Sequence, residues 1–288
     1  MSIEFLARVA QGWIVRPNFE VMQFPGGEQY IKNHDTTEYV EHFAIVRGAD
    51  ANDLVLAAMW RMMVNYQSHA PTHLFVPYIP GARDDRGATL GAVAYTTLIQ
   101  GVYASSVTYV DIHSEDALGY LTHSVDAKPL RLQDIVSNAV AGRSELRPGP
   151  YDAVIAPDKG AVSRAKLVGD RLGVRTLFAT KERDPETGKL SNFAFDVSQV
   201  SAHGRYLVVD DICDGGGTFM GLASVLKRNR ENLDLWVTHG VFSGNAGQLV
   251  EAYGNVFTTD SHPGAYNEKV GARVTKLLPY FLESVRNG

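Results

Sequence analysis

The stretch that decides the fold runs from residue 208 to residue 218 and reads Val208-Val209-Asp210-Asp211-Ile212-Cys213-Asp214-Gly215-Gly216-Gly217-Thr218. It places the end of an apolar strand, two carboxylates and a glycine-rich turn before a run with helical spacing, from about Thr218 to Arg228. Glycines let the backbone turn sharply and bring several N–H groups onto one anion, and the positive end of the helix dipole adds to that attraction. The stretch therefore predicts a strand, a phosphate-binding turn and a helix, with the Thr218 hydroxyl as one more donor.

The paired carboxylates of this stretch, Asp210 and Asp211, require a different partner because they would repel a phosphate. They suit sugar hydroxyls, as acceptors from the 2- and 3-hydroxyls of a ribose. The pattern thus predicts a ligand with a diol at one end and a phosphate at the other. An acidic turn that only caps a helix is the alternative, and the length of the pattern favours the ligand site.

Strands and helices alternate on both sides of the stretch. Apolar runs predict strands at 152–156, 175–179, 206–209, 235–242 and 255–258, with helices at 161–172, at 218–228 and near Gln248. This alternation indicates a mostly parallel sheet flanked by helices, and in such sheets ligands bind at the carboxyl ends of the strands. The unusual polar loops, at 157–160, 181–183 and 210–218, do follow strands.

The N-terminal half is similar in style, with helices predicted at 54–66 and 89–100 and strands at 73–76 and 107–112. Glycine and proline residues gather between residues 130 and 150, which marks the junction between two α/β domains, expected to be 1–146 and 147–288 with the boundary near Leu146. An amphipathic helix at 272–285 is expected to close the second domain.

Composition narrows the class of protein. The chain has 288 residues, a formal net charge of -5, no basic arm and one cysteine, Cys213, to which no chemistry is assigned. Nucleic acid and membrane are therefore not expected partners, and a reducing compartment, the cytoplasm, is the expected location. No secretory signal is recognised at the N-terminus.

The stretch at 208–218 resembles the PRPP-binding motif shared by phosphoribosyltransferases and PRPP synthetases (ribose-phosphate pyrophosphokinases). Six further segments resemble those of the synthetases and occur in the same order: Phe24-Pro25-Gly26-Gly27-Glu28, residues 77–86 (PYIPGARDDR), Asp111-Ile112-His113, Ala156-Pro157-Asp158 with Arg164-Ala165, Lys181-Glu182-Arg183, and residues 238–243 (THGVFS). Each segment is a weak signal alone, and their order over more than 200 residues is a strong one.

The resemblance implies two phosphoribosyltransferase-like domains and an ATP-dependent diphosphotransferase that uses Mg²⁺. It assigns catalysis to Lys181, Arg183 and His113, the metal to His113 and Asp158, and the ribose phosphate to Asp210, Asp211, Asp214, Gly215, Gly216, Gly217 and Thr218. It assigns ATP to Phe24, Glu28, Arg83, Asp84 and His113. It also implies a homo-oligomer, built on a dimer or a hexamer, in which Phe24 reaches a neighbouring subunit; core packing is the alternative role for Phe24. His239, inside an apolar strand, is expected to be structural.

Three departures from the family pattern leave the acceptor open. Gly26 replaces an acidic residue, Asp84 replaces a glutamine, and Gly215 replaces a threonine beside the expected 5-phosphate. The chain is also short for the family, as are members found in bacteriophages, some of which use ADP-ribose to rebuild NAD. The leading hypothesis is PRPP synthesis from ribose 5-phosphate. The alternatives are diphosphate transfer to ADP-ribose, a phosphoribosyltransferase, which would not explain the N-terminal motifs, and a non-catalytic regulatory family member, in which Lys181 and Arg183 should be lost.

Overall fold

The computed structural model describes residues 3–85, 90–123, 125–141, 151–183, 190–201 and 203–287, without the side chains of 181–183, 190–193 and 287. Two compact units make up the chain: Met1–Leu130 together with Leu278–Gly288, and Arg131–Leu277. In the described ranges, no helix combines the length and apolar character needed to cross a membrane.

The first unit is built on a six-stranded mixed sheet with the order β2-β1-β5-β6-β7-β8. Strand β1 is antiparallel to β2 and β5, whereas β5 to β8 run parallel. Strands β3 and β4 form a separate antiparallel hairpin. The strands are β1 (Ile3–Arg8), β2 (Ile14–Val15), β3 (Phe19–Gln23), β4 (Gln29–Asn33), β5 (Glu41–Val46), β6 (Thr72–Phe75), β7 (Ser106–Tyr109) and β8 (Ala127–Pro129).

Three helices connect the parallel strands of this unit: α1 (Ala51–Gln67), α2 (Gly91–Gln100) and α3 (Glu115–Thr122). Side-chain caps explain two of the starts, because Asp50 accepts the Asn52 N–H before α1 and Ser114 accepts the Ala117 N–H before α3. Helix α1 buries one face, including Trp60 and Val64, against the sheet.

The second unit contains a six-stranded sheet with the order β10-β9-β13-β14-β15-β16, in which every pair is parallel. Its elements are α4 (Leu132–Ala141), β9 (Ala153–Ala156), α5 (Val162–Leu172), β10 (Arg175–Phe178), β11 (Thr180–Arg183), β12 (Leu190–Ala194), β13 (Tyr206–Cys213), α6 (Gly217–Leu226), β14 (Leu233–Gly240), α7 (Leu249–Ala252), β15 (Asn255–Thr259) and β16 (Arg273–Thr275). The predicted fold class is confirmed, as are the five predicted strands. Strand β16 and the β11–β12 hairpin were not predicted.

The C-terminal helix α8 (Leu278–Asn287) completes the first unit. Its Phe281 is fully buried, with its ring stacked on Phe75 at 4.7 Å and edge-on to Phe43 at 5.9 Å. The expectation that a helix at 272–285 closes the second domain therefore needs correction: the chain first forms β16, and the helix that follows packs on the other unit.

The boundary expected near Leu146 moves to between Leu130 and Arg131. The reason is helix α4, which lies in the stretch interpreted as a junction and packs on α5, with Arg171 donating to Asp134 at 2.8 Å. The domain limits 1–146 and 147–288 are replaced by the two units given above.

Candidate active site

The glycine-rich turn connects β13 to α6 and is open where a ligand would enter. Gly216, with φ 80°, stands directly before α6, and a Cβ there would come within 3.3 Å of the Leu249 side chain. Gly215 and Gly217 have no such neighbour: a Cβ on Gly215 would meet only the Ser243 carbonyl oxygen at 4.0 Å, and one on Gly217 nothing within 4 Å. The turn is thus packed at its centre and accessible on both sides, beside a helix start whose first N–H groups need acceptors.

The backbone of the turn is fixed by the loop that follows β14. The Cys213 carbonyl accepts from the N–H groups of Val241 at 3.0 Å and Phe242 at 2.9 Å, and the Asp214 carbonyl accepts from Ser243 at 3.2 Å. The Cys213 and Asp214 carbonyls therefore already have hydrogen-bond donors within the protein. This leaves the N–H groups of the glycines that follow able to point towards solvent.

Arg164 on α5 bridges the two carboxylates of β13. Its Nη1 lies 3.1 Å from Asp210 Oδ1 and its Nη2 lies 3.3 Å from Asp211 Oδ2. Asp210 Oδ1 also accepts the Asp211 N–H, and Asp211 Oδ1 accepts the Ile212 N–H, both at 2.9 Å. One guanidinium thus offsets one of the two negative charges of the pair, and both aspartates are largely buried. Asp214 and Thr218, also predicted to bind the ribose phosphate, are only half-buried.

Burial and the neighbouring Asp211 raise the pKa of Asp210 well above its ordinary value of 3.8, although Arg164 opposes that shift. From the sequence alone, Arg164 is part of a motif, and this bridge is not predicted. The available signal was its position on the helix that follows Asp158, at the same carboxyl edge of the predicted sheet.

Asp158 follows β9 and starts the next helix. Its Oδ1 accepts the N–H groups of Gly160 at 2.9 Å and Ala161 at 3.3 Å, and its charge contributes to the raised pKa of Asp210. Within the described residues, no group of three or more His, Cys, Asp or Glu side chains is arranged to hold a metal ion. Asp158 offers a single carboxylate, and Mg²⁺ commonly takes one or two protein carboxylates while it keeps phosphate and water ligands.

Lys181 and Arg183 lie on β11, which pairs with β12 through Lys181 opposite Phe193 and Arg183 opposite Leu190. Their side chains, and residues 184–189 of the connecting loop, lie outside the described part of the structure. Their catalytic assignment stays a prediction.

Phe24 lies at the tip of the β3–β4 hairpin, where it is 53% exposed and stacks on Tyr30 with ring centroids 4.4 Å apart. The alternative of core packing is therefore wrong for Phe24. The turn is closed by Phe24 N–H to Glu28 carbonyl at 2.8 Å and Gly27 N–H to Phe24 carbonyl at 2.9 Å. The Glu28 carboxylate lies where a side chain on Gly26 would begin, 2.5 Å from the Cβ position. A carboxylate is thus retained at this tip although residue 26 is glycine.

The other residues predicted to bind ATP follow β6 and β7, adjacent parallel strands whose carboxyl ends meet at one edge of the sheet. Arg83 and His113 are exposed there. Asp84 has a task within the protein, because its Oδ2 accepts the Gly91 N–H at 2.9 Å at the start of α2. The Asp84 carboxylate is thus held by the first residue of α2.

Two side chains that were expected to have no catalytic role are buried. His239 is 2% exposed, and its Nδ1 lies 2.8 Å from Ser261 Oγ. Cys213 is 1% exposed, and burial raises the pKa of its thiol to about 12, so that it stays protonated at neutral pH.

No family profile matches the chain. Comparison with individual proteins does find relatives in sequence and in fold. A ribose-phosphate pyrophosphokinase from Hyphomonas neptunium is 32% identical over 186 residues, which cover 61% of this chain and 56% of that protein. A ribose-phosphate pyrophosphokinase from Pyrococcus abyssi is 26% identical over 252 residues, 85% of each chain. The crystal structure of phosphoribosylpyrophosphate synthetase from Mycobacterium smegmatis shares the fold, with a TM-score of 0.68 over 95% of this chain and 92% of that one, at 22% identity. The chain is thus similar in sequence to ribose-phosphate pyrophosphokinases and shares its fold with a phosphoribosylpyrophosphate synthetase.

Proposed function

We propose that this protein transfers a diphosphate group from ATP to the anomeric 1-hydroxyl of ribose 5-phosphate, giving 5-phosphoribosyl 1-diphosphate (PRPP) and AMP. The observation that carries the proposal is the glycine-rich turn, open at Gly215 and Gly217, between an acidic pair and the start of α6. A phosphate at one end of a ligand and a diol at the other match this arrangement.

On the acceptor side, the 5-phosphate would be bound by the N–H groups at the start of α6 and by the Thr218 hydroxyl. Asp210, Asp211 and the less buried Asp214 would accept from the ribose hydroxyls. Arg164 supports this role because it holds the two adjacent carboxylates in fixed positions.

On the nucleotide side, the exposed Phe24 ring would stack on adenine and the Glu28 carboxylate would accept from its amino group. Arg83 and His113, at the carboxyl ends of β6 and β7, would bind phosphate oxygens. Phe24 would act on a neighbouring subunit of a homo-oligomer. Magnesium would accompany ATP, with His113 and Asp158 nearest to it, and would neutralise phosphate charge when bound.

In the proposed reaction, the acceptor's 1-oxygen bonds to the β-phosphorus of ATP. The bond from that phosphorus to the oxygen shared with the α-phosphate breaks, AMP leaves with the electron pair, and the hydroxyl proton passes to solvent. In-line displacement needs alignment and charge stabilisation more than covalent help. Lys181 and Arg183 would stabilise the charge on the transferring group.

The second candidate function is the same diphosphate transfer to a bulkier acceptor such as ADP-ribose. That reaction would serve to rebuild NAD. The observation in its favour is the open space at Gly215, where a Cβ would meet only the Ser243 carbonyl at 4.0 Å. A substituent on the acceptor's 5-phosphate could leave the site through this space.

The test is incubation with MgATP and each acceptor separately, with AMP, ADP and product mass as readouts. Acceptor-dependent AMP and a product heavier by one diphosphate are expected. Lys181→Ala and Arg183→Ala should each lower turnover about 100- to 1,000-fold with nucleotide binding retained, whereas Lys166→Ala, at an exposed lysine of α5, should not. Accumulation of ADP, or no AMP with either acceptor, would refute the proposal.

A further inference from the structure

The segment that follows β15 lies at the same edge of the sheet as the glycine-rich turn. Strands β13, β14 and β15 are parallel neighbours, so the residues that follow each of them meet at one edge. The first half-buried residue after β15 is His262. Neither the acceptor side nor the nucleotide side of the proposed site includes this histidine.

The loop after β14 connects the segment of His262 to the glycine-rich turn. A Cβ on Gly264 would come 2.0 Å from the Val241 carbonyl oxygen, so the turn that begins at His262 packs directly on this loop. The Val241 N–H in turn donates to the Cys213 carbonyl at 3.0 Å, at the start of the glycine-rich turn. His262 is therefore held on the layer of backbone that supports the ligand site.

One nitrogen of the His262 ring is already used by the protein. Its Nδ1 accepts the Gly264 N–H at 3.0 Å, at the start of the short 3₁₀ turn Pro263–Tyr266. A nitrogen that accepts carries no proton, so the proton of the neutral ring is on Nε2. Burial and the neighbouring His239 lower the pKa of His262, and the ring is therefore neutral at neutral pH. His262 thus offers one hydrogen-bond donor, its Nε2–H.

The carboxylate that acts on this ring is Asp214. It lies close enough to His262 for its negative charge to raise the pKa of the imidazole, against burial and His239. The Asp214 side chain is half-buried, and its backbone carbonyl accepts the Ser243 N–H at 3.2 Å. A carboxylate has two oxygens, so a donor on one of them leaves the other to accept from a ribose hydroxyl. The acidic pair before it already has such a donor in Arg164.

We propose that His262 is a positioning residue for Asp214: its Nε2–H donates to the Asp214 carboxylate and holds it in the orientation that accepts from a ribose hydroxyl of the substrate. The inference rests on the proposed function, which assigns Asp214 to the ribose. A neutral donor orients the carboxylate and leaves its negative charge in place, so that Asp214 stays a strong hydrogen-bond acceptor.

The test is His262→Asn, with the KM for ribose 5-phosphate, or for ADP-ribose if only that gives AMP, measured from AMP formation at saturating MgATP. The asparagine Oδ1 can accept the Gly264 N–H in place of Nδ1, so the 3₁₀ turn and the melting temperature should be kept while the Nε2–H donor is lost. The KM should rise roughly fivefold, as expected for one lost hydrogen bond, and kcat should stay within about twofold. His203→Asn is the matched control: His203 is an exposed histidine before β13, at the opposite end of the strands.

An Asp214→Asn background shows whether His262 acts through Asp214. There, His262→Asn should change the KM by less than about twofold, because no carboxylate is left to position. An unchanged KM in the single variant overturns the inference and leaves the proposed reaction intact, as does an equal rise in both backgrounds. No AMP from the wild type with either acceptor refutes the proposed reaction, and the inference with it.

Discussion

Arg164 shows how two adjacent carboxylates can be kept in a buried position. Each of its two terminal nitrogens faces one aspartate, at 3.1 Å for Asp210 and 3.3 Å for Asp211. A buried charge without a partner costs several kcal/mol, so the acidic pair depends on this guanidinium. Even so, the pKa of Asp210 stays raised, because burial and Asp211 together outweigh Arg164.

The raised pKa of Asp210 predicts a pH effect on stability. From 3.8 up to the raised pKa, the folded protein holds a proton that the unfolded chain has released, so this carboxyl lowers stability as pH rises. Asp210→Asn cannot ionise. The difference in free energy of unfolding, variant minus wild type, should therefore increase as the pH rises above about 4, by at most about 1.4 kcal/mol per pH unit, and level off above the raised pKa. Urea unfolding at several pH values measures it, and a difference that does not vary with pH would contradict the expectation.

The Gly215→Thr substitution tests which acceptor the protein uses. The open space beside Gly215 leaves room for the side chain, so the variant should fold normally. The added hydroxyl should strengthen binding of a terminal 5-phosphate, because a hydrogen bond to a charged group contributes about 1.5–3 kcal/mol, while the added bulk obstructs a substituted one. The kcat/KM ratio of ADP-ribose to ribose 5-phosphate should fall tenfold or more. Equal effects on both acceptors would favour ordinary PRPP synthesis.

The sequence was sufficient to predict the residues of the turn. An apolar strand, two carboxylates, three glycines and a helical run, in that order, indicate a tight turn before a helix. It could not predict that Arg164 bridges Asp210 and Asp211, or that Asp84 caps α2 through Gly91. Those contacts depend on which elements become neighbours in the folded unit.

At the scale of elements, the β3–β4 hairpin presents Phe24 at its tip. Phe24→Ala should leave the fold intact because the ring is mostly exposed. It should raise the KM for ATP about tenfold, since stacking of a base on an aromatic ring contributes about 1–3 kcal/mol, and Phe24→Tyr should restore it. Trp13→Ala, at another exposed aromatic of the same unit, is the control. An unchanged KM in Phe24→Ala would remove Phe24 from the nucleotide site.

The elements that the sequence predicted well are long and buried, such as β13 and β14, where an apolar run leads into a clear turn. Strand β16 was missed because three residues, Arg273–Thr275, give no periodic signal. Helix α4 was missed because glycines and prolines follow it closely, and their density was interpreted as marking the whole stretch as a junction.

At the scale of the whole molecule, the C-terminal helix α8 belongs to the first unit, although the second unit lies between them in the sequence. Helix α8 inserts Phe281 between the rings of Phe43 and Phe75. No local pattern indicates this, because an amphipathic helix does not specify which sheet it covers.

Phe281→Ala should destabilise the first unit by about 3–5 kcal/mol, the usual cost of removing a buried phenylalanine ring. Amide hydrogen exchange, measured by mass spectrometry, should speed up in β5 and β6 and stay unchanged in β13 and β14. Glu283→Ala, at an exposed position of α8, is the control. Faster exchange in the second unit alone would contradict the assignment of α8.

In the proposed reaction, a diphosphate group moves from ATP to the acceptor as one piece. The most direct measurement uses ATP labelled with ³²P at the β-phosphorus, with magnesium and each acceptor in turn, and follows the label by chromatography. The proposed reaction predicts that the label appears in the acceptor product and that the AMP released carries none. Label retained in ADP would mean that only the γ-phosphate is transferred, and would contradict the account.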